Sequence, residues 1–165
     1  MFPLPEKYCI KMKALLGENG YKKYLESFSG KPLTAIKINT AKINLHDWEK
    51  ICPFDTEKIP WCDTGFIINN SSKTEISKHP YYFAGLYYIQ EPSAMLPASI
   101  LPINKGDKVL DLCAAPGGKS VAIASKLNGS GVLVANDISV SRTAALVKNL
   151  QAAGAFNTIV TAETP

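Results

Sequence analysis

The sequence predicts an α/β protein whose carboxyl-terminal part is half of a doubly wound parallel sheet, preceded by a small α+β unit. Three observations lead there. Apolar runs at 109–112, 132–135 and 158–161 alternate with two helical patterns, the strand-helix-strand rhythm of a parallel sheet. Pro116, Gly117 and Gly118 follow the first run directly, and open α/β sheets bind ligands at that end of their strands. Before residue 80 the patterns are shorter and of mixed period, as in a compact α+β arrangement.

The elements follow in order. Pro5 and Glu6 open a helix, with Tyr8, Met12, Leu15 and Leu16 on one face. After a break at residues 17–20, Tyr21, Tyr24, Leu25 and Phe28 repeat the helical spacing until Ser29-Gly30-Lys31-Pro32 stops it. Core packing is the expected role of these aromatics. Residues 35–39 alternate apolar and polar and predict a half-buried strand, 45–51 a short helix before Pro53, and the run around Phe66, Ile67 and Ile68 another strand. Residues 69–73 read as a polar loop, and His79 beside Pro80 as a loop residue. Pro92 belongs in the first turn of a short helix. Tyr81, Tyr82, Phe83, Tyr87 and Tyr88 either form a stacking platform for bases or pack a connection between two domains.

From residue 106 the pattern sharpens. Val109, Leu110 and Leu112 predict a buried parallel strand, followed by a helix from about 118 to 127 closed by Asn128-Gly129. Asp137 stands just past the second strand. Ser139 or Ser141 caps the next helix, on which Ala144, Val147 and Leu150 share a face, and Gly154 ends it before the third strand. The expected division is an α+β accessory domain over 1–79, a connecting segment with a short helix over 80–104, and an incomplete parallel α/β domain over 105–165.

Composition sets bounds on function. The chain has 165 residues and 46% hydrophobic content, enough for one good core or two small ones. Its apolar stretches fall short of the ~20 residues of a membrane helix, and MFPLPEKYCIK has prolines and charges where a signal peptide is apolar, so a cytoplasmic location is expected. Cys9, Cys52, Cys62 and Cys113 form no CxxC pair, which indicates neither a zinc site nor a disulfide framework. The net charge of +4 is almost wholly lysine, Arg142 being the only arginine. It permits a polyanionic partner such as RNA without demanding one.

Two nucleotide-binding readings compete for the loop after the first strand. A phosphate-binding P-loop needs GxxxxGK[ST]; Gly118-Lys119-Ser120 fits its end, but Cys113 occupies the place of its first glycine. In the other reading the loop holds the centre of a cofactor, and Asp137 accepts hydrogen bonds from ribose hydroxyls. The small side chains and glycines let a ligand approach the backbone.

DLCAAPGGKS, from Asp111 to Ser120, resembles the first motif of the RsmB/NOP (Nol1/Nop2/Sun) family of RNA cytosine-5 methyltransferases. YYIQEPSAMLPA, from Tyr87, is similar to the family's preceding motif, and NDISVSRTAALVKNLQAAG resembles the region after its second strand. The segment LPEKYCIKMKALLGENGYKKYLESF looks like the start of bacterial members that act on ribosomal RNA, with transfer RNA as the other possible substrate. The resemblance implies the first half of a Rossmann-type class I methyltransferase sheet. It places Cys113, Ala114, Ala115, Pro116, Gly117, Gly118 and Lys119 around S-adenosylmethionine, Asp137 on its ribose, and Asp111 either on the methionine ammonium or fixing the loop.

The family attacks cytosine C6 with a cysteine thiolate and uses a second cysteine to release the product, both in motifs after the fourth and fifth strands. No residue of this chain is therefore assigned a catalytic role, and the portion is expected to be inactive alone. A sheet cut short in this way is expected to expose an apolar edge open to self-association. The rival expectation is a non-catalytic RNA-binding or assembly protein that retains a partial methyltransferase fold.

Overall fold

The computed structural model describes residues 4–30 and 32–164, in two compact units, Met1–Pro32 and Leu33–Pro165. Lys31, within the predicted helix stop, and Pro165 lie outside the described residues.

The first unit is one kinked helix, α1 (Glu6–Ser27). Its kink falls at Gly17, whose φ of 68° and ψ of 171° interrupt the helical ladder, inside the predicted break. Tyr21 is buried, and Tyr24 meets Phe28 edge-on with ring centroids 4.9 Å apart. The stripe expected to pack in the first arm does not form a core: Leu15 is 73% exposed, and Tyr8 and Leu16 are also exposed. So short a unit has too little chain to cover both arms.

The second unit contains two sheets. The first is antiparallel, in the order β2-β3-β1-β4, with β1 (Ala35–Ile38), β2 (Thr56–Ile59), β3 (Cys62–Ile68) and β4 (Tyr87–Ile89). The strand predicted to be half-buried is buried on both faces, because β1 is flanked by β3 and β4 and the face bearing Lys37 is covered. Asn44 caps α2 (Leu45–Ile51) by accepting from the Asp47 amide, and Trp48 on that helix is buried.

Sequence reasoning missed β2, β4 and two short helices, at Pro80–Phe83 and at the end of the predicted polar loop, the latter α3 (Lys73–Lys78). Ser72 and Glu75 form a reciprocal capping box there. His79 caps α4 (Pro80–Phe83), its Nδ1 accepting from the Tyr81 amide. The aromatic cluster supplies packing: Tyr81 and Tyr87 meet Trp48 edge-on, Tyr87 also meets Phe54, and its hydroxyl donates to the Ile76 carbonyl at 2.7 Å. Phe83 differs, at 70% exposure.

As expected, Pro92 opens α5 (Pro92–Ile100), which packs between β3 and α6 (Gly118–Leu127). The second sheet is parallel, in the order β5-β6-β7, with β5 (Lys108–Asp111), β6 (Val132–Asn136) and β7 (Thr158–Thr161). Asn128 closes α6 in the left-handed conformation, and Gly154 closes α7 (Val140–Ala153) the same way. The buried face of α7 is Leu146, Leu150 and Ala153; Ala144, predicted to share it, is exposed.

Right-handed crossovers that run in one direction place both helices on the same face of the sheet. There Val121, Leu127, Leu133, Ala135, Leu146 and Leu150 form the core. On the opposite face the aligned row Leu110, Val134 and Ile159 has no helix above it among the described residues, and Leu110 and Ile159 are 57% and 54% exposed. β5 is thus an edge strand with one bare face, where the sequence predicts a buried one.

Candidate functional site

The loop from Leu112 to Gly117 crosses the carboxyl ends of β5 and β6 and enters α6. Gly117 is the N-cap, with φ of 111°, a value natural to glycine; a Cβ there would lie 3.1 Å from Leu146 Cδ1. At Gly118 a Cβ would lie 2.8 Å from Gln90 Nε2 and 3.0 Å from Tyr88 Cε1. β4 therefore brings Tyr88 and Gln90 against the loop, and the missing side chain is what allows that approach. The Ala115–Pro116 peptide is cis.

The loop is held by an extensive set of polar contacts. The Ala114 amide donates to the Asn136 carbonyl at 2.8 Å, and Gly117 N–H to the Ala114 carbonyl at 2.7 Å. Asn149 donates to the Pro116 carbonyl at 2.7 Å, and Arg142 to the Ala115 carbonyl at 2.7 Å. Ser120 donates to the Asp111 carboxylate at 2.7 Å, which ties the end of β5 to the first turn of α6.

Asp137 stands at the predicted place, just beyond β6, but its carboxylate is buried among protein donors. It accepts from the Ala115 amide at 3.2 Å and the Ser139 amide at 3.1 Å, and lies 3.4 Å from the Arg142 guanidinium. Ser139 occupies the N-cap of α7, yet its side chain caps no backbone amide. Arg142 joins Asp137 to the loop carbonyl.

The structure brings together six of the eight predicted site residues, Cys113, Ala114, Ala115, Pro116, Gly118 and Lys119, around a cavity of about 240 Å³ that Tyr88, Gln90 and Ala94 also line. Gly117 lies beneath as the cap, and Asp137 supports the loop from behind. Cys113 and Lys119 are exposed, whereas Ala114 and Ala115 are buried. Burial pushes the Tyr88 phenol above its ordinary range, with the nearby Tyr82 adding to the shift.

Two residues that sequence reasoning did not single out complete the site. Gln90 donates to the Ala94 carbonyl at 3.2 Å, and its buried Oε1 has no hydrogen-bond partner among the described residues. Asn136 is 4% exposed and uses its amide fully: Nδ2 donates to the carbonyls of Leu112 and Glu163, while Oδ1 accepts from Thr161 Oγ1 and the Glu163 amide. It thereby joins the chain segments leaving β5 and β7. Both stood inside quoted motifs, Asn136 as a polar residue ending an apolar strand run and Gln90 with nothing to mark it.

Comparison with known proteins agrees with this arrangement. Residues 4–92 match the family described as the N-terminal domain of 16S rRNA methyltransferase RsmF, and residues 98–164 match 16S rRNA methyltransferase RsmB/F. Among curated relatives, ribosomal RNA small subunit methyltransferase F of Shewanella sediminis is 40% identical over 143 residues, covering 82% of this chain and 30% of that protein. The namesake from Vibrio vulnificus is 35% identical, covering 93% of this chain and 34% of its own. The chain thus spans about a third of these relatives. A solved methyltransferase homolog from Pyrococcus horikoshii is 27% identical with a TM-score of 0.81, over 98% of this chain and 57% of that one. NSun6 from the same organism, solved with SFG, has the same fold at 17% identity, with a TM-score of 0.82 over 97% of this chain and 65% of its own. The chain belongs to the RsmB/F family of 16S rRNA methyltransferases.

Proposed function

We propose that this chain is the cofactor-loop portion of an S-adenosylmethionine-dependent ribosomal RNA cytosine-C5 methyltransferase, and that the portion is inactive alone. The observation that carries the reading is the cradle around residues 113–119. Gly117 and Gly118 leave backbone where side chains would clash, and Gln90, whose buried Oε1 has no hydrogen-bond partner among the described residues, lines the same cavity. Buried polar groups are ordinarily paired, so an orphan acceptor beside a cavity suits a ligand with N–H or O–H donors, as the cofactor has. The fold neighbour solved with SFG, an S-adenosylmethionine analogue, agrees with that ligand.

S-adenosylmethionine supplies an electrophilic sulfonium methyl. This chain's part is to bind and orient: residues 113–119 enclose the cofactor, Gln90 accepts from a donor on it, and Arg142 and Asp137 hold the Ala115 peptide in place. With both Asp137 oxygens already engaged, any contact of that carboxylate with a ribose is shared with loop amides. Cys113 is a cofactor-loop residue; Cys9, Cys52 and Cys62 do not line this cavity. We assign 1–79 as the accessory domain, 80–104 as the connection and 105–165 as the cofactor-binding half domain, acting on RNA in the cytoplasm. Among the described residues no helix is long and apolar enough to cross a membrane.

Equilibrium dialysis tests the cofactor. S-adenosylmethionine binds, Gly118→Val weakens that binding at least tenfold, and ATP does not compete. Competition by ATP would restore the P-loop reading, and absence of cofactor binding by a protein extended to the length of its relatives would favour the non-catalytic one. Radiolabelled methyl transfer to ribosomal RNA by residues 1–165 alone would refute the proposed inactivity.

A further inference from the structure

Away from the loop, a second cavity of about 140 Å³ lies between the antiparallel sheet and helices α5 and α6, lined by Lys37, Cys62, Thr64, Ser99, Lys126 and the exposed carboxylate-bearing Asp63, among others. Lys37 is unusual. It projects from the central strand β1, is 8% exposed, and forms no ion pair with a carboxylate among the described residues. An ammonium has three donors, and Lys37 has one hydrogen-bond partner here, Ser99 Oγ at 3.2 Å, which itself donates to the Met95 carbonyl. Burying an ammonium without an opposite charge is costly.

A second lysine intensifies the imbalance. Lys126 donates to the carbonyls of Ser99 and Leu101 at 3.0 and 2.9 Å, so one serine joins both lysines. Burial and then the charge of Lys37 push the Lys126 ammonium below its ordinary range. Cys62 reports the same field. Burial alone would push its thiol up, but the Ser99 hydrogen bond, the Lys37 charge and the Thr64 hydroxyl outweigh it, and the thiol is held below its usual value.

We propose that this cavity is a binding site for a phosphate-sized oxyanion, with Lys37 as its principal charge and the hydroxyl of Thr64 as a supporting donor. The cavity has room for several water molecules, enough for a tetrahedral oxyanion. Two lysines against the single carboxylate of Asp63 leave it net positive. Free inorganic phosphate and a phosphodiester of an RNA backbone share the required chemistry. Only the second source rests on the reading of this chain as an RNA methyltransferase portion.

Cys62 serves as the built-in probe. Alkylation by iodoacetamide, resolved by peptide mass spectrometry, is followed at constant ionic strength with chloride exchanged for inorganic phosphate. Exposed Cys113 is the internal reference. Phosphate at ten times its Kd slows Cys62 labelling about tenfold and leaves Cys113 unchanged. The protection disappears in Lys37→Met and weakens in Thr64→Val, the second variant should the first fail to fold.

Line broadening of inorganic phosphate in phosphorus NMR, lost in Lys37→Met and reduced in Thr64→Val, gives a readout independent of the thiol. A short single-stranded RNA forms the other arm. Protection by phosphate but not RNA supports a free-phosphate site whatever becomes of the RNA reading, and Lys37-dependent protection by RNA alone supports a backbone phosphate. Absence of both protection and line broadening, or effects that survive undiminished in the variants, overturns the proposal.

Discussion

At the scale of single residues, Asn136 makes four side-chain hydrogen bonds, to Leu112, Thr161 and Glu163. Its amide satisfies groups on the segments after β5 and β7 while 4% exposed, so its loss strands buried backbone donors and acceptors. Asn136→Ala is expected to destabilise the chain by about 2 kcal/mol in urea unfolding, within the range for unsatisfied buried groups. Tyr87 makes a different case. Burial raises its phenol well above 10, with Tyr82 and Cys52 contributing, while the neutral hydroxyl donates to the Ile76 carbonyl. A raised acid stabilises the fold fully below its unfolded pKa near 10 and loses that contribution as pH rises beyond it. Thermal melts should therefore fall in Tm above pH 10, less steeply in Tyr87→Phe, and this variant should cost about 1 kcal/mol at neutral pH.

At the scale of elements, α7 couples packing to the loop that enters α6. Leu146 is fully buried in the core of the parallel sheet and lies directly against the Gly117 cap, while Asn149, one turn along, holds the Pro116 carbonyl. Leu146→Ala should cost about 3 kcal/mol, the scale of a buried leucine cavity, and loosen the loop above it. Calorimetry checks the first effect and increased hydrogen exchange at Gly117 and Gly118 the second. Local chemistry made several elements legible in the sequence: Pro at the starts of α1 and α5, Asn128 and Gly154 at the ends of α6 and α7, and the period of β5 to β7. α3 was equally legible through Ser72 and Glu75, but the polar run before it was read as loop. β2 is a four-residue strand in a local hairpin with β3, two of its four residues charged, and β4 is a three-residue strand that pairs with β1 across some fifty residues, a pairing no local pattern announces.

At the scale of the molecule, the parallel sheet is open at both edge strands, β5 and β7, and bare on one face among the described residues. Leu110, Leu112 and Ile159 are exposed, and β5 has no partner beyond its pairing with β6 among the described residues. Such an edge templates pairing with another chain. Concentrated samples are expected to self-associate in sedimentation velocity, and Leu110→Lys with Ile159→Lys should shift them toward monomer. A monomer at all concentrations would remove this expectation.

The loop after β5, its Pro-Gly-Gly turn, the acidic residue beyond β6 and the order of the parallel half were determined by the sequence, because each depends on backbone restrictions and periodicities that neighbouring residues impose. Which way the Asp137 carboxylate turns, the burial of Lys37, the approach of Gln90 to Gly118 and the nakedness of Leu110 were decided only by tertiary structure. Each depends on what another segment does or does not place beside it, and burial and hydrogen-bond partnership are properties of the packed chain.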